Sequence, residues 1–380
     1  MTGLNLDPGC VLAEDGKIAE IAARIPEDDT MHVIDACGAW TMPGLIDAHS
    51  HLGITEERKG KEGDDGNEST QPTTPYLRAI DAINPLDISF KTAVRAGITS
   101  AMVGPGSSNV VGGLFAFMKT AGNRIDDMIV LFPAALKAAL GENPKTTYGS
   151  NGNMPSTRMA IAFMLREALY EGAKYKKDKD SARQSGQAFE EQIRLEPFIP
   201  LFEGKIPLKT HAHRADDIQT AIRIAKEFNI SLTLDHCTEG HFIPEQIAES
   251  GFPAIVGPSI ASRNKIETQF LDFKTVGVLH KAGVKVAVTT DHPVSLIQYL
   301  PVCAGLAARE GLGIEEGLKS ITINAAEICR VSDRVGTLEV GKDADIAVFD
   351  GNPMEIFTKP LYTVIDGILR YSVDESGPKS

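Results

Sequence analysis

The sequence predicts an α/β protein, a distorted (β/α)8 TIM-like barrel joined to a small β-sandwich domain built from both termini. Three observations predict this fold. Strand-like apolar runs alternate with helical stretches between residues 43 and 334. Short β-like pieces occupy residues 1–42 and return over residues 335–380. The chain has 380 residues, more than one core usually holds, so we expect one large and one small domain.

The two ends of the chain show the pattern of antiparallel hairpins. Asp15-Gly16 separates two short apolar pieces, at 10–13 and 18–21, which is a strong hairpin signal. Residues 31–36 are expected to form a further strand. Alternating apolar residues and turns return after residue 334, so both ends would share one small domain.

The middle of the chain follows the pattern of about eight parallel strand–helix units. The expected strands are 45–48, 98–103, 114–118 or 128–132, 135–139, 208–211, 231–234, 254–256 and 284–289. The expected helices include 87–96, 215–228 and 245–250, the second of which carries apolar residues at helical spacing. Residues 146–200 are the largest insertion. Its helices, over 158–194, would cover the barrel or form the interface of a homo-oligomer.

Composition excludes several classes of function. The net charge is −13, and no basic stretch is concentrated enough to bind nucleic acid. No run approaches about 20 apolar residues, so we expect no membrane span. The five cysteines are scattered and odd in number, which is typical of the reducing cytosol. The first residues show neither a basic start nor an apolar segment, so we expect no signal peptide and a cytoplasmic location.

Side chains that bind metals follow the expected strands at their carboxyl ends. They are His49, His51, His211, His213, Asp235, His236 and Asp291. Residues i and i+2 of an extended chain point to the same side, so His49 and His51 can reach one point. His211 and His236 are 25 residues apart, one strand–helix unit, and Asp291 follows 55 residues later, two units. Because barrels carry their chemistry at this end of the strands, we expect one site here.

Histidine nitrogens and carboxylate oxygens in this mixture favour Zn²⁺, with Mn²⁺, Fe²⁺, Co²⁺ or Ni²⁺ as alternatives. The sequence leaves open whether the site holds one or two ions. Two ions would need a bridging anionic ligand, and two residues compete for that role. Lys137 lies in a strand-like run of small apolar residues and would bind metal after carbamylation by CO₂. Glu142 lies just past that strand and needs no modification.

These stretches resemble the metal-dependent amidohydrolase superfamily, and its imidazolonepropionase-related branch in particular. The stretches that carry the resemblance are 43–51, 97–100, 209–213, 235–236, 290–291 and 341–346. The resemblance implies a distorted barrel with a small β-sandwich, one or two divalent metals, and hydrolysis of a C–N bond. It also implies the metal ligands, which are His49, His51, His211, His236 and Asp291. Asp291 would act as general base and then as general acid.

Three further residues are candidates for binding a small-molecule substrate, which would be an amide, a cyclic amide or an acyl-amino compound. His213 and His241 would hydrogen-bond the oxyanion or the substrate, and Asn109 lies in a Gly-rich loop expected after a strand. Two other functions stay open. A deaminase of this superfamily usually carries His-x-x-Glu on the fifth strand, where this chain has Arg214 instead of Glu. A non-catalytic protein of the same fold would tend to lose metal ligands, which are all present here.

Overall fold

The structure of the protein is a computed structural model that describes residues 3, 5–57 and 60–373. Its strands are β1 (Cys10–Glu14), β2 (Lys17–Ala22), β3 (Trp40–Pro43), β4 (Leu45–Ser50), β5 (Ile98–Val103), β6 (Val111–Lys119), β7 (Ile129–Ala139), β8 (Leu208–Ala212), β9 (Leu232–His236), β10 (Ala254–Val256), β11 (Val286–Val288), β12 (Ile346–Phe349), β13 (Pro360–Ile365) and β14 (Ile368–Ser372). Its α-helices are α1 (Ile88–Arg95), α2 (Ile125–Met128), α3 (Glu142–Gly149), α4 (Arg158–Ser185), α5 (Phe198–Phe202), α6 (Ala215–Glu227), α7 (Pro244–Ser250), α8 (Lys274–Lys281), α9 (Leu300–Ala307), α10 (Ile314–Ser320) and α11 (Ile323–Ile328).

Strands β4 to β11 form one eight-stranded sheet in which neighbours in the chain are neighbours in the sheet. Its strands are parallel except for β6, which runs antiparallel to both β5 and β7. The connections on either side of β6, residues 104–110 and 120–128, are too short for the crossover that parallel strands need. The predicted fold class is confirmed, and β6 is the place where the barrel departs from regular strand–helix units. Both strands that the sequence offered as alternatives are present, as β6 and β7.

The two ends of this sheet are joined by side chains at a seam between β4 and the segment after β11. Asp47 on β4 accepts hydrogen bonds from Thr289 Oγ1 at 2.6 Å and from the backbone N–H of Thr290 at 3.1 Å. Asp47 lies two residues before His49, and Thr290 precedes Asp291. The seam therefore brings the first and last of the predicted site residues together.

Most of the barrel strands are buried on both faces, and only the first half of β7 is partly exposed. Every residue of β4, β5 and β6 is buried, as expected for strands covered by helices on the outside. Helix α4 buries Ile161, Leu165 and Leu169 fully along one of its faces. The opposite face stays open, with Phe163 55% and Tyr170 66% exposed. One face of α4 therefore packs into the core, and both predicted roles of the insertion, barrel cover and homo-oligomer interface, stay predictions.

Both termini contribute to a small β domain, as predicted. Strands β3 and β12 to β14 form a four-stranded antiparallel sheet. The β1–β2 hairpin joins it through Ile18, whose backbone N–H donates to the carbonyl of Lys342 at 2.9 Å. The predicted strand at 31–36 is wrong: these residues form no regular structure, and Val33 is 51% exposed because no strand pairs with it. Residues 1, 2, 4 and 374–380 of the predicted small domain lie outside the described residues.

The small sheet passes directly into the barrel at Gly44, between the end of β3 and the start of β4. A Cβ atom at this position would lie 2.1–2.7 Å from side-chain atoms of Thr99 on β5, so only glycine fits. The first barrel strand is thus reached without a linker.

A buried ion cluster holds the same junction together. Lys119, the last residue of β6, is 3% exposed. Its Nζ lies 2.8 Å from a carboxylate oxygen of Asp343, 2.8 Å from one of Asp345 and 3.1 Å from one of Asp366. The C-terminal part of the chain therefore supplies the counter-charges of a lysine in the barrel.

Candidate active site

The first and last barrel strands bring together a group of three residues, His49, His51 and Asp291, which we call the first group. Asp291 Oδ1 lies 3.3 Å from His49 Nε2 and 3.2 Å from His51 Nε2. The Nδ1–H of His51 donates to the carbonyl of Gly104 at 2.7 Å, which leaves Nε2 free to face Asp291. The three side chains are close enough to hold one metal ion.

Strands β8 and β9 bring together a second set, His211, His213 and His236, which we call the histidine trio. One ring nitrogen from each lies within 4.8 Å of those of the other two. His236 Nδ1–H donates to the carbonyl of Gly257 at 2.7 Å, and His213 Nδ1 is hydrogen-bonded to Thr238 Oγ1 at 2.6 Å. The remaining nitrogens are therefore free to bind an ion, and His213 is as well placed as His211.

Two of these residues adopt backbone conformations that are uncommon outside glycine. His236 has φ of 76° and Asp291 has φ of 53°. Such conformations cluster at functional sites, where the surroundings hold them in place. Here the Asp291 N–H donates to Thr289 Oγ1 at 3.1 Å, directly beside the seam.

Lys137 lies on β7 under the two groups and is fully buried. Its Nζ has no hydrogen-bond partner. Burial is the main cause that lowers its pKa, to about 8. The position opposite it on β8 is a second buried lysine, Lys209, which donates to Asp235 Oδ1 at 3.1 Å and to the carbonyl of Ala48 at 3.0 Å. Of the two lysines, Lys137 is the one whose ammonium group is left without a partner.

Asp235 has a role that its position before His236 did not predict. Its Oδ2 lies 3.0 Å from His49 Nδ1, while Oδ1 accepts from Lys209. Burial acts to raise the pKa of Asp235, but Lys209, His49 and Lys137 together outweigh burial and hold that pKa well below its usual range. A charged carboxylate thus faces the ring nitrogen of His49 that points away from the first group.

The donor atoms of the site fit a divalent metal. Buried atoms without a hydrogen-bond partner include His49 Nε2, His211 Nε2 and Asp291 Oδ1. Burial lowers the pKa of His49 to about 3, and it lowers the pKa of His211 and of His213 well below its usual value. Neutral imidazoles are the form that binds metal, and buried polar atoms rarely stay unpaired without a reason.

The structure does not bring two of the predicted residues into either group. Glu142 begins α3, and its Oε2 is turned to the backbone N–H of Glu267, at 3.4 Å. The amide nitrogen of Asn109 donates to the carbonyls of Glu68 and Gln71, both at 2.7 Å, so it holds a loop. The donors of Asn109 are occupied there, while Glu142 lies beside the site rather than between the groups.

The third predicted substrate contact, His241, lies in the loop after β9. Its Nδ1 is hydrogen-bonded to Thr275 Oγ1 at 2.9 Å, and the residue is partly exposed. Burial lowers its pKa. Its ring contacts that of Phe242 in a tilted arrangement, with ring centroids 4.2 Å apart. It therefore stands outside the histidine trio, at the same end of the barrel.

Glu267 is a site residue that the sequence did not indicate. It is 1% exposed, and its Oε1 lies 3.7 Å from His211 Nε2 and 4.0 Å from His213 Nε2. Its other oxygen, Oε2, accepts from the backbone N–H of Glu142 at 3.0 Å. Glu267 lies in a short 3-10 helix, Ile266–Thr268, in the connection after β10 and follows no strand end, so no sequence pattern marks it.

Within the part of the chain that the structure describes, no helix has both the length and the apolar character that crossing a membrane requires.

Comparison with known proteins agrees with this geometry. The sequence model of the Amidohydrolase family matches residues 40–370. The crystal structure of an amidohydrolase from Thermotoga maritima MSB8 superimposes with a TM-score of 0.92 and 40% identity, over 95% of this chain and 94% of that one. Amidohydrolase tasK of Hapsidospora irregularis is 26% identical over 96% of this chain, which spans only 40% of tasK. The imidazolonepropionase of Caulobacter sp. (strain K31) is 25% identical over 90% of this chain and 89% of that protein.

Proposed function

Because the chain belongs to the amidohydrolase family, we propose that it is a metal-dependent hydrolase of a C–N bond in an amide, cyclic amide or acyl-amino compound. The observation that carries the proposal is the convergence of the first group and the histidine trio at the carboxyl end of the barrel strands. That end is where barrel enzymes carry their chemistry. The likeness to an imidazolonepropionase over most of both chains supports a small-molecule substrate.

The proposed cofactor is one or two divalent ions, zinc first, with Mn, Fe, Co or Ni as alternatives. His49, His51 and Asp291 would hold one ion, and His211 and His236 would hold the other. Lys137 is the proposed bridge after carbamylation, because its buried Nζ lacks a partner in the described structure, and this leaves Glu142 the weaker candidate. Metal bound there would polarise a carbonyl and lower the pKa of a water molecule.

Asp291 is the proposed proton carrier of the reaction. Burial acts to raise its pKa, but nearby His236 and the contacts with His49 and His51 together hold that pKa well below its usual range. An ionised carboxylate can accept the proton of the attacking water and then give it to the leaving nitrogen. The hydrogen bonds of the seam fix the backbone of Asp291 for both steps.

Two further roles are proposed, one in orienting a metal ligand and one in binding the substrate. Asp235, held by Lys209, orients the ring of His49 so that Nε2 points to Asp291. His241, at the partly exposed rim, is the proposed contact to the substrate.

The test is a screen of the metal-loaded protein against cyclic amides, N-acyl amino acids and dipeptides, with both cleavage fragments identified by mass spectrometry. Hydrolysis of at least one class with release of two fragments, or ring opening of a cyclic amide, is the expected result. Release of ammonia from an otherwise intact ring would instead identify a deaminase. Purified protein with less than about one equivalent of divalent metal and no turnover would identify a non-catalytic member of the fold.

A further inference from the structure

We propose that His213 is a third imidazole ligand of the second ion, beside His211 and His236, and that Glu267 is the counter-charge of that site. This inference rests on the proposed metal-dependent function and names the ligands of its second ion. It assigns His213 to the metal rather than to the substrate. The ligand class is a divalent ion of the zinc, cobalt or nickel kind, which three imidazoles favour.

The packing of the three rings is the first support. The ring centroids of His211 lie 4.5 Å from His236 and 4.7 Å from His213, and those of His213 and His236 are 4.8 Å apart. His211 and His213 are two residues apart where β8 ends, so both side chains reach the same side. All three side chains are buried. The trio is therefore compact enough for one ion to touch each ring.

The hydrogen bonds of the trio are the second support. A histidine that binds metal usually uses its other ring nitrogen for a hydrogen bond to an oxygen, which fixes the ring and its tautomer. His213 uses Nδ1 toward Thr238 Oγ1, and His236 uses Nδ1 toward Gly257. His211 Nε2 is buried and has no hydrogen-bond partner in the described structure. The free nitrogens thus lie within 4.8 Å of one another, and a cation bound between them would give His211 Nε2 a partner.

Glu267 is the third support. Its Oε1 is buried, has no hydrogen-bond partner, and lies within 4.0 Å of two nitrogens of the trio. A buried carboxylate is costly unless a cation stands next to it. The nearest side-chain cation, Lys265, is 3.9 Å away, has a 41% exposed side chain and already donates to Asn143 Oδ1 at 2.6 Å. An ion in the trio would give Glu267 a buried partner of opposite charge.

The experiment measures metal binding and not turnover. Metal-free protein is titrated with Zn²⁺ in competition with a chelator, and we expect two equivalents for the wild type. His213→Gln should weaken the second equivalent at least about tenfold, since it removes one of three imidazoles. The matched control is His241→Gln, which should keep both equivalents because its ring is bonded to Thr275 outside the trio. Glu267→Gln should also weaken the second equivalent and leave the first unchanged.

X-ray absorption at the zinc edge gives a second, structural readout. Five histidines on two ions average 2.5 imidazoles per ion, and four average 2.0, so saturated His213→Gln should show the lower value. The unfolding temperature of each metal-free variant establishes that it is folded. Wild-type affinity for both ions in His213→Gln, or an unchanged imidazole count, would overturn the inference. If no amide is cleaved but these metal results hold, the proposed hydrolysis fails and the second site stands.

Discussion

Asp291 combines three features in one residue: a left-handed backbone, a buried carboxylate and two facing imidazoles. Its φ of 53° directs the side chain back over the seam, where His49 and His51 lie within 3.3 Å of Oδ1. The conformation is held by neighbours, since Thr289 accepts its N–H and Asp47 binds the next residue back, Thr290. Geometry at this residue is therefore set before any substrate binds.

Asp291→Asn is expected to lower kcat by about 10²- to 10⁴-fold, the range typical of a lost general acid–base group. The amide keeps the size of the carboxylate, so most of the metal should stay bound. The measurement is kcat with the substrate found in the screen, together with metal content by mass spectrometry. The control is Asp216→Asn on α6, a half-exposed carboxylate. Full activity of Asp291→Asn would contradict the proposed proton transfer.

Asp235→Asn tests the orientation of His49. The amide would face either Lys209 or His49 with hydrogens where the carboxylate had oxygens, so one of the two contacts is lost. We expect a 10- to 100-fold loss of metal affinity at the first group, the usual effect of removing an outer partner of a ligand. Chelator competition measures it. Lys209→Met should act in the same direction, and unchanged affinity in both variants would argue against this role.

At the scale of elements, the direction of β6 decides the shape of the barrel. Its short connections leave no room for a crossover, so β5, β6 and β7 form an antiparallel meander inside an otherwise parallel sheet. The meander contributes two side chains near the site. Lys137 lies on β7 and Phe115 on β6, and the Phe115 ring centroid is 5.6 Å from Lys137 Nζ. Helix α4 belongs to the long connection that links β7 to its paired neighbour β8.

A pair of substitutions tests how α4 holds the barrel. Leu165→Ala removes a fully buried side chain and should lower the free energy of unfolding by about 2–5 kcal/mol. Phe163→Ala, on the exposed face of the same helix, should change it by no more than about 0.5 kcal/mol. Urea denaturation of both variants measures the difference. Equal losses would show that the exposed face of α4 is covered by something in solution.

At the scale of the whole molecule, the buried histidines couple stability to pH. Burial lowers the pKa of His49 to about 3 and lowers that of His236 as well, whereas unfolded histidine has a value near 6.5. Between these values the unfolded chain binds more protons than the folded one. The contribution of these histidines to the free energy of unfolding is therefore fully present above pH 6.5 and is lost as pH falls.

The metal-free protein should therefore lose up to about 1.4 kcal/mol per pH unit for each buried neutral histidine on acidification below pH 6.5. Urea unfolding at a series of pH values from 7.5 to 5 measures this slope. His49→Asn, which keeps a neutral polar side chain, should flatten it. A free energy of unfolding that stays constant over this range would contradict the expectation.

Most of the architecture followed from the sequence because strands and their carboxyl ends leave local marks. His49, His211, His236 and Asp291 each follow an apolar run, and the structure places all four at one end of one sheet. Features that depend on contacts between residues far apart in the chain left no recognisable pattern in the sequence. Glu267 comes from a three-residue 3-10 helix in a long connection. The pairing of Asp235 with His49 joins β9 to β4, and the direction of β6 depends on the length of its turns. The prediction of a strand at 31–36 was wrong because residues of high β propensity form a strand only when another strand pairs with them.

The ion pairs of Lys119 join a residue that is synthesised early to three residues that are synthesised late. The ribosome completes β6 more than 200 residues before it reaches Asp343, Asp345 and Asp366, which carry the three charges facing this ammonium. A buried ammonium without a counter-ion is strongly unfavourable. We therefore expect the end of β6 to stay hydrated in the nascent chain until the segment that carries these aspartates has been synthesised. A chain truncated before residue 343 would release a barrel that cannot close over this lysine.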